Sequence, residues 1–247
     1  MNLVIDEGNT TIKVALFDDN SEPLEVYTQK SVDIDEVDAL ISMHSIDSCI
    51  YSSVAGYNKT LASIISDKVN HFMILSHDTR LPIKIDYLQP DTLGVDRIAG
   101  AVGAWYYNQG ANNFIIDAGT AITYDFISAD GEFKGGNISP GITMRFKALN
   151  HYTKCLPLIS KSEDYPMIGY DTATAILSGV MSGIISEALG YINLLCDKYQ
   201  GLTIIITGGD HSILYNKLKN ATFVQLKDEK HLVLKGLNRI LNYNVNN

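Results

Sequence analysis

Two similar stretches of the chain carry residue types that bind phosphate and its metal ion. Residues 4–13 read VIDEGNTTIK, and residues 115–123 read IIDAGTAIT. In each stretch an apolar run leads to an aspartate, Asp6 or Asp117, and then to a glycine turn with hydroxyl side chains. Backbone N–H groups and hydroxyls at such a turn can hold phosphoryl oxygens, and the carboxylate can hold a cation directly or through water. A single copy could equally be an ordinary hairpin turn, but the repetition favours two phosphate-binding turns.

A third glycine turn follows the apolar run at residues 202–207. It consists of Gly208, Gly209 and Asp210, and a predicted helix comes directly after it. The turn from the carboxyl end of a strand into a helix is a usual ligand position in α/β proteins. The three turns together therefore predict a site for one nucleotide.

A different chemistry is indicated by Asp96 and Arg97, which are adjacent near the predicted start of a helix. Asp96 can accept the proton of an attacking hydroxyl group, while Arg97 can form a fork with a carboxylate, so the pair suits a small hydroxy acid. The helix N-terminus favours the ionised form of Asp96. Phosphoryl transfer depends mainly on positioning and charge neutralisation, so a carboxylate suffices as the base. The alternative is a capping aspartate beside a surface arginine in a salt bridge.

The first half of the sequence predicts the elements that position these residues. Strands are expected at residues 3–6, 12–17 and 24–28 as an antiparallel meander, with a hairpin turn at 18–20. Alternating elements then follow: helices at 35–43 and 58–69, and strands at 48–53 and 72–75. Residues 82–90 are predicted to be extended, and a helix is predicted from Asp91 and Thr92 to Tyr107 because both are good N-cap residues.

The second half repeats the opening pattern. Strands are predicted at 114–117 and 121–127, and a turn at Asp130 and Gly131 leads into a third short strand. An irregular glycine loop is expected at 135–141, followed by helices from residue 142 and at 172–199. Strands at 202–207 and 222–224 and a last helix from Asp228 complete the prediction. The polar joint at 108–113 divides the chain into predicted domains 1–112 and 113–247.

Composition excludes several classes of protein. The formal net charge of −9 argues against a nucleic-acid surface. Cys49, Cys155 and Cys196 are predicted to be reduced and mostly buried thiols of a cytoplasmic protein. No signal peptide is expected, and the apolar stretch 175–195 is interpreted as a buried or interface helix because serine and glycine interrupt it. Walker-type and Rossmann-type nucleotide motifs do not occur in the sequence.

The ordered glycine turns resemble those of the superfamily of acetate and sugar kinases, heat-shock ATPases and actin. A closer resemblance is to type III pantothenate kinase, and it covers nearly the whole chain. It is carried by these segments: YLQPDTLGVDR at 87–97, DAGTA at 117–121, GG at 135–136, SPG at 139–141, LP at 156–157, DTA at 171–173 and GGD at 208–210. Residues 150–155, NHYTKC, depart from the commoner Thr-Ala-Lys form, so a role for His151 stays open.

The resemblance implies an α/β fold of two tandem ribonuclease-H-like, actin-like ATPase domains with mixed sheets flanked by helices. It implies phosphorylation of pantothenate by ATP with Mg²⁺ and a monovalent cation, K⁺ or NH₄⁺. It makes Asp96 the catalytic base, Asp117 the ligand of the monovalent cation, and Asp6 the residue that positions Mg²⁺. The implied ATP-binding residues are Asp6, Glu7, Gly8, Asn9, Thr10, Thr11, Ile12, Lys13, Thr120, Gly208 and Gly209. The implied pantothenate-binding residues are Tyr87, Gly94, Val95, Asp96, Arg97 and Thr172.

Thr172 would reach the pantothenate of a neighbouring subunit, so the resemblance also implies a homodimer with a shared substrate pocket. No nucleic acid and no membrane are expected as partners. Two alternatives remain: a related kinase of the superfamily that acts on a sugar or acyl group, and a non-catalytic nucleotide-binding regulator. Arg97 beside Asp96 suits an acid better than a neutral sugar. The sequence shows no helix-turn-helix and no basic patch for direct DNA binding.

Overall fold

Two sheets with flanking helices organise the chain in this computed structural model, which describes residues 1–18, 22–31, 33–54 and 56–246. The contacts group the chain into two units. The first contains Met1–Gly110, Ile127–Gly135 and the chain from His231 onward, and the second contains Ala111–Phe126 and Gly136–Lys230. The division predicted at 112/113 stays a prediction. Its tandem halves differ from these units in three segments: residues 111–112, residues 127–135 and the chain from His231 onward.

The first sheet has the strand order β3-β2-β1-β4-β5. The elements before residue 110 are β1 Asn2–Glu7, β2 Ile12–Phe17, β3 Pro23–Gln29, α1 Ile34–His44, β4 Ser48–Ser53, α2 Lys59–Ser66, β5 His71–Ile74, β6 Lys84–Ile85 and α3 Val95–Tyr107. Strands β1, β2 and β3 pair antiparallel, whereas β4 and β5 add in parallel. The predicted meander is confirmed. Asp19 and Asn20 of the predicted turn at 18–20 lie outside the described residues.

The second sheet has the order β11-β10-β7-β8-β9-β6. The elements after residue 110 are β7 Asn113–Ala118, β8 Ala121–Ile127, β9 Glu132–Pro140, α4 Ile142–Tyr152, α5 Thr172–Lys198, β10 Thr203–Thr207, α6 His211–Leu218, β11 Gln225–Asp228 and α7 Leu232–Val245. Read from β9 to β11, the strands follow the same third-second-first-fourth-fifth order as the first sheet. The repeat seen in the sequence is therefore also a repeat of topology.

Helices α3 and α7 pack closely within the first unit because each has a glycine at the crossing. A Cβ on Gly103 would lie 2.4 Å from the carbonyl oxygen of Leu232, and one on Gly236 would lie 1.8 Å from that of Ala99. Neither position can hold a larger residue without moving backbone. The contact fixes α3, the helix that begins with Val95, Asp96 and Arg97.

The predicted start of α3 at Asp91 and Thr92 is wrong. Residues Pro90–Thr92 form a separate 3₁₀ turn, and α3 begins at Val95 with Gly94 as its N-cap. Leu93 between them is extended and fully buried, so it anchors the connection and interrupts the helix. The consequence is that Asp96 and Arg97 lie in the first turn of α3.

The glycine loop predicted at 135–141 is also wrong, because β9 continues to Pro140. A Cβ on Gly136 would lie 2.1 Å from the carbonyl oxygen of Tyr124, so glycine here permits close contact with β8. The strand predicted at 222–224 is displaced to β11, Gln225–Asp228, which pairs in parallel with β10. Phe223 of the predicted strand is fully exposed.

The long apolar helix α5 is confirmed over Thr172–Lys198. By length and composition alone it is apolar enough to cross a membrane, and 39% of its most apolar window is buried in the protein. Its buried side chains belong to the core of the second unit, including Ile176, Val180 and Ile184. The prediction of mostly buried cysteines holds for Cys49 but is wrong for Cys155, which is exposed on the segment after α4.

Candidate active site

The first phosphate turn joins β1 to β2. Asp6 and Lys13 are cross-strand partners, and the Gly8 N–H donates a 3.0 Å hydrogen bond to the carbonyl oxygen of Thr11. Asn9, Thr10 and Thr11 at the tip are exposed, whereas the Asp6 side chain is buried. Burial raises the pKa of Asp6 to about 6; Lys13 lowers it, and Asp96 raises it further. Asp6, Lys13 and Asp96 therefore form one electrostatic group in the first unit.

Glu7, at the start of this turn, is held by a residue that the sequence analysis missed. The hydroxyl of fully buried Tyr51 donates a 2.5 Å hydrogen bond to Glu7 Oε2 and accepts one of 3.1 Å from the Asn58 backbone N–H. Burial raises the pKa of Tyr51 to about 12, and the Asn58 N–H partly offsets that effect. No motif marks Tyr51, because only the pairing of β1 with β4, which places it opposite Ile5, brings its hydroxyl within reach of Glu7.

Asp96 lies in the first turn of α3, where its Oδ1 accepts a 2.8 Å hydrogen bond from the Arg97 backbone N–H. Gly94 makes room for this carboxylate, because a Cβ there would lie 2.5 Å from Asp96 Oδ1. Asp96 is half-buried and thus keeps one side open. A carboxylate in this position can accept a proton from a hydroxyl group that reaches it.

Arg97 is 8% exposed, which does not fit the alternative of a surface arginine. Its guanidinium carbon lies 5.9 Å from the ring centre of Tyr87 and 5.8 Å from that of Phe133. Cations at such distances from an aromatic face are stabilised by the ring quadrupole. Phe133 was missed by the sequence analysis because it lies in β9, which is placed beside β6 by strand pairing. A Cβ on Gly135 would touch the Tyr87 ring at 3.4 Å, so this glycine also frames the position.

The second phosphate turn joins β7 to β8 and is supported by the third glycine turn. Gly208 has a φ of +95°, and a Cβ there would lie 2.4 Å from Asp117 Oδ1 and 2.5 Å from the carbonyl oxygen of Ala118. The Asp210 N–H donates a 2.8 Å hydrogen bond to that same carbonyl. Within the second unit the structure thus brings Asp117 and the Gly208–Gly209 turn together, as the sequence predicts.

Thr120 of the second turn is exposed and is backed by the junction of β9 and α4. The Gly141 N–H donates a 3.0 Å hydrogen bond to the Thr120 carbonyl oxygen. A Cβ on Gly141 would lie 2.3 Å from the carbonyl oxygen of Gly119. The sequence analysis placed Gly141 in a loop and missed this supporting role.

Thr172 is the exposed first residue of α5. Asp171 caps the helix by accepting a 2.7 Å hydrogen bond from the Thr174 N–H, and the two residues form a capping box. His151 is exposed near the end of α4, with its ring edge-on to Tyr152.

The residues that the structure describes contain no metal site built from side chains alone. Among the residues that the structure describes, no three side chains of His, Cys, Asp or Glu are grouped to hold a metal ion. Asp6 and Asp117 each stand in a turn with backbone N–H groups nearby. Single carboxylates in such turns fit Mg²⁺, which usually keeps several water ligands and is shared with substrate phosphates.

Comparison with known proteins identifies the family of this chain. The sequence model of type III pantothenate kinase matches residues 2–193. The type III pantothenate kinase of Phocaeicola vulgatus is 43% identical over 244 residues, which cover 99% of this chain and 99% of that protein. The chain belongs to the type III pantothenate kinase family.

Solved structures show how the fold of this type III pantothenate kinase family member relates to other proteins. A Campylobacter jejuni protein assigned to the Baf family of transcriptional activators has a TM-score of 0.61 at 24% identity, with 99% of this chain and 100% of that chain covered. A ROK family glucokinase from Streptomyces griseus, solved with glucose and AMPPNP, has a TM-score of 0.57 at 8% identity, with 98% and 99% covered. At these identities the likeness concerns the fold alone, and it confirms the expected actin-like ATPase fold.

Proposed function

We propose that this protein transfers the terminal phosphoryl group of ATP to the hydroxyl group of pantothenate, giving 4′-phosphopantothenate for coenzyme A synthesis. The observation that carries the assignment is the Asp96–Arg97 pair in the first turn of α3, where a half-buried carboxylate lies next to a buried arginine whose guanidinium faces two aromatic rings. Pantothenate has a hydroxyl group for the first residue and a carboxylate for the second. Family membership supports the same substrate.

In the proposed reaction, Asp96 accepts the proton of the pantothenate hydroxyl group. The hydroxyl oxygen forms a bond to the terminal phosphorus of ATP, and the bond from that phosphorus to the bridging oxygen breaks, releasing ADP. Arg97 holds the pantothenate carboxylate, with Tyr87, Gly94 and Val95 around it. The transition state of phosphoryl transfer is loose, so alignment by these groups contributes more than the strength of the base.

We assign ATP to the two phosphate turns and the third glycine turn. The residues proposed to bind it are those of the 6–13 segment together with Thr120, Gly208 and Gly209. Asp6 would hold Mg²⁺ through water, and the ion would neutralise charge on the phosphates. The cross-strand partner Lys13 supplies a positive charge beside Asp6.

We also propose that Asp117 binds a monovalent cation, K⁺ or NH₄⁺. The support is local: the carboxylate is half-buried, and the backbone of Gly208 packs directly against it. A carboxylate kept in one place by backbone atoms is a suitable ligand for a weakly held cation.

A homodimer in which Thr172 reaches the pantothenate of the neighbouring subunit is a further part of the proposal. Large apolar side chains are exposed just before α5, namely Tyr152, Leu158, Met167, Ile168 and Tyr170. On α5 itself, glycines 179, 183 and 190 recur at helical spacing, and no described atom lies within 4 Å of a Cβ at these positions. Exposed apolar side chains next to a helix face that permits close approach of another helix favour self-association. We propose that the protein is located in the cytoplasm.

The test is ADP formation by purified protein with ATP, Mg²⁺, K⁺ and pantothenate, with 4′-phosphopantothenate detected by mass spectrometry. We expect ADP only when pantothenate is present. A panel of sugars and short-chain acids serves as the specificity control. Folded protein that forms no pantothenate-dependent ADP would reject the proposal, and activity with another member of the panel would favour the related-kinase alternative.

A further inference from the structure

The junction behind the second phosphate turn is held by Arg145, which lies in the first turn of α4. Its Nε donates a 2.8 Å hydrogen bond to the Pro140 carbonyl oxygen, and one Nη donates at 2.7 Å to Ser139 Oγ. The same Nη donates at 2.7 Å to Glu187 Oε2 on α5. One guanidinium therefore ties the end of β9 to two helices of the second unit.

The segment that Arg145 holds is the one that supports Thr120. Gly141 follows Pro140, and its N–H donates to the Thr120 carbonyl oxygen. Because a Cβ at Gly141 would overlap the carbonyl oxygens of Gly119 and Thr120, the two backbones are already in contact. A displacement of residues 139–141 would therefore move Thr120 directly.

The ion pair is partly removed from water, with 21% of the Arg145 side chain and 27% of the Glu187 side chain exposed. Burial acts to raise the pKa of Glu187, but hydrogen bonds from Arg145, Ser139 and Tyr124 and the charge of Arg145 together outweigh it, and the net pKa is lowered. Arg145 is the cationic partner of this carboxylate, and losing it would remove the positive charge that pairs with a partly buried negative one.

We infer that Arg145 and Glu187 are positioning residues that hold residues 139–141 against the second phosphate turn and so set its affinity for nucleotide. The inference rests on the proposed function, in that it takes Thr120 to contact ATP. Neither residue touches the substrate. Their effect passes through the backbone of Gly141.

The test compares Arg145→Lys, Arg145→Gln and Glu187→Gln with wild type. Calorimetry gives the Kd for the analogue AMPPNP with Mg²⁺, and steady-state kinetics give separate KM values for ATP and pantothenate. We expect Arg145→Gln to weaken AMPPNP binding about tenfold, as for the loss of one charged hydrogen bond, with KM for ATP rising in parallel. KM for pantothenate should stay within about twofold, since Arg97 and Tyr87 lie in the other unit. The AMPPNP affinity of Arg145→Lys should lie between those of wild type and Arg145→Gln, because lysine keeps the positive charge but lacks the several fixed N–H donors of a guanidinium.

The matched control is Lys68→Gln, which removes an ion pair with Asp38 that is remote in sequence from every glycine turn. It should leave both KM values unchanged. An unchanged AMPPNP Kd in Arg145→Gln would overturn the inference. An equal rise in the KM values for ATP and pantothenate, together with a lower Tm, would also overturn it, because it would indicate general destabilisation. If Arg145→Gln does not fold, Arg145→Lys and Glu187→Gln decide by the same criterion. AMPPNP binding needs no pantothenate, so this arm stays informative even if the substrate assignment fails.

Discussion

The two phosphate turns share a sequence pattern but are supported in different ways. Side chains surround the first turn: Lys13 lies opposite Asp6, and Tyr51 holds Glu7. Backbone surrounds the second turn, where Gly141 and Gly208 approach within distances that leave no room for a Cβ. The first turn is therefore sensitive to charge and protonation, and the second to the size of its neighbours. Two units can thus share a sequence motif although charged and polar side chains support the turn in one unit and close backbone packing supports it in the other.

The sharpest test of the electrostatic side is Asp96→Ala. Removing the proton acceptor should lower kcat by about 10²- to 10⁴-fold, the range for loss of general-base catalysis. Binding of AMPPNP should be largely kept, because the phosphate turns are untouched. Stopped-flow or coupled measurement of ADP release gives kcat, and calorimetry gives the nucleotide Kd. An equal loss of nucleotide binding would mean that Asp96 supports the fold instead.

The steric side is tested by Gly208→Ala. The added Cβ would meet Asp117 and Ala118 at a position where φ is +95°, so both overlap and backbone strain oppose it. We expect a loss of roughly 1–3 kcal/mol in the free energy of unfolding, with weaker stimulation by K⁺. Urea denaturation measures the first and activity against KCl concentration the second.

Gly119→Ala is the matched control for stability, since a Cβ there would meet its nearest neighbour, the Ala121 carbonyl oxygen, at an ordinary 3.5 Å. Its free energy of unfolding should stay close to that of wild type. Similar destabilisation by both substitutions would contradict the view that backbone contact with Gly208 supports the turn.

The pH dependence of stability distinguishes the first turn from the second, and Asp6→Asn tests it. Because the pKa of Asp6 is raised from 3.8 to about 6, the folded protein keeps a proton there that the unfolded chain loses earlier. The resulting stability is fully present below about pH 3.8 and is lost as the pH rises through 6. At pH 8 Asp6→Asn should therefore be more stable than wild type, by up to about 3 kcal/mol, and the gain should shrink towards pH 5. Denaturant titrations at both pH values give the difference, and Asp117→Asn is the comparison in the second turn.

Those titrations are made without nucleotide, because bound Mg²⁺ would favour the carboxylate form. A gain for Asp6→Asn that is the same at pH 8 and pH 5 would show that the protonation of Asp6 is not its cause.

The smallest effect is expected for Tyr51→Phe, which removes the hydrogen bond to Glu7 and leaves the ring in the core. We expect a loss of about 1 kcal/mol in stability and a modest rise in KM for ATP. Tyr57→Phe is the control, since Tyr57 meets the Tyr51 ring edge-on and is exposed. Thermal unfolding and ATP titrations compare the two variants. An unchanged KM for ATP in Tyr51→Phe would show that the hydrogen bond to Glu7 does not affect nucleotide binding.

Sequence reasoning found what is encoded locally. The alternation of apolar residues and turns predicted both meanders and the long helix α5, and the repeated motif predicted that the second half repeats the opening of the first. The family resemblance named the residues of the site before their positions were known. Their roles in binding and catalysis stay predictions that the experiments above address.

Features that depend on strand pairing or backbone packing were not readable in advance. The glycines at 135–141 look like a loop in sequence, but they serve close contact along β9. Phe133 and Tyr51 carry no motif and join the site only through neighbouring strands. Asp91 and Thr92 have cap chemistry, yet buried Leu93 separates them from α3.

The crossing of α3 and α7 has a consequence for biosynthesis of the enzyme. Helix α3 carries the proposed base, but its packing partner α7 is synthesised only after the whole second unit has been synthesised. Helix α3 therefore cannot dock against α7 while residues 1–230 are being translated.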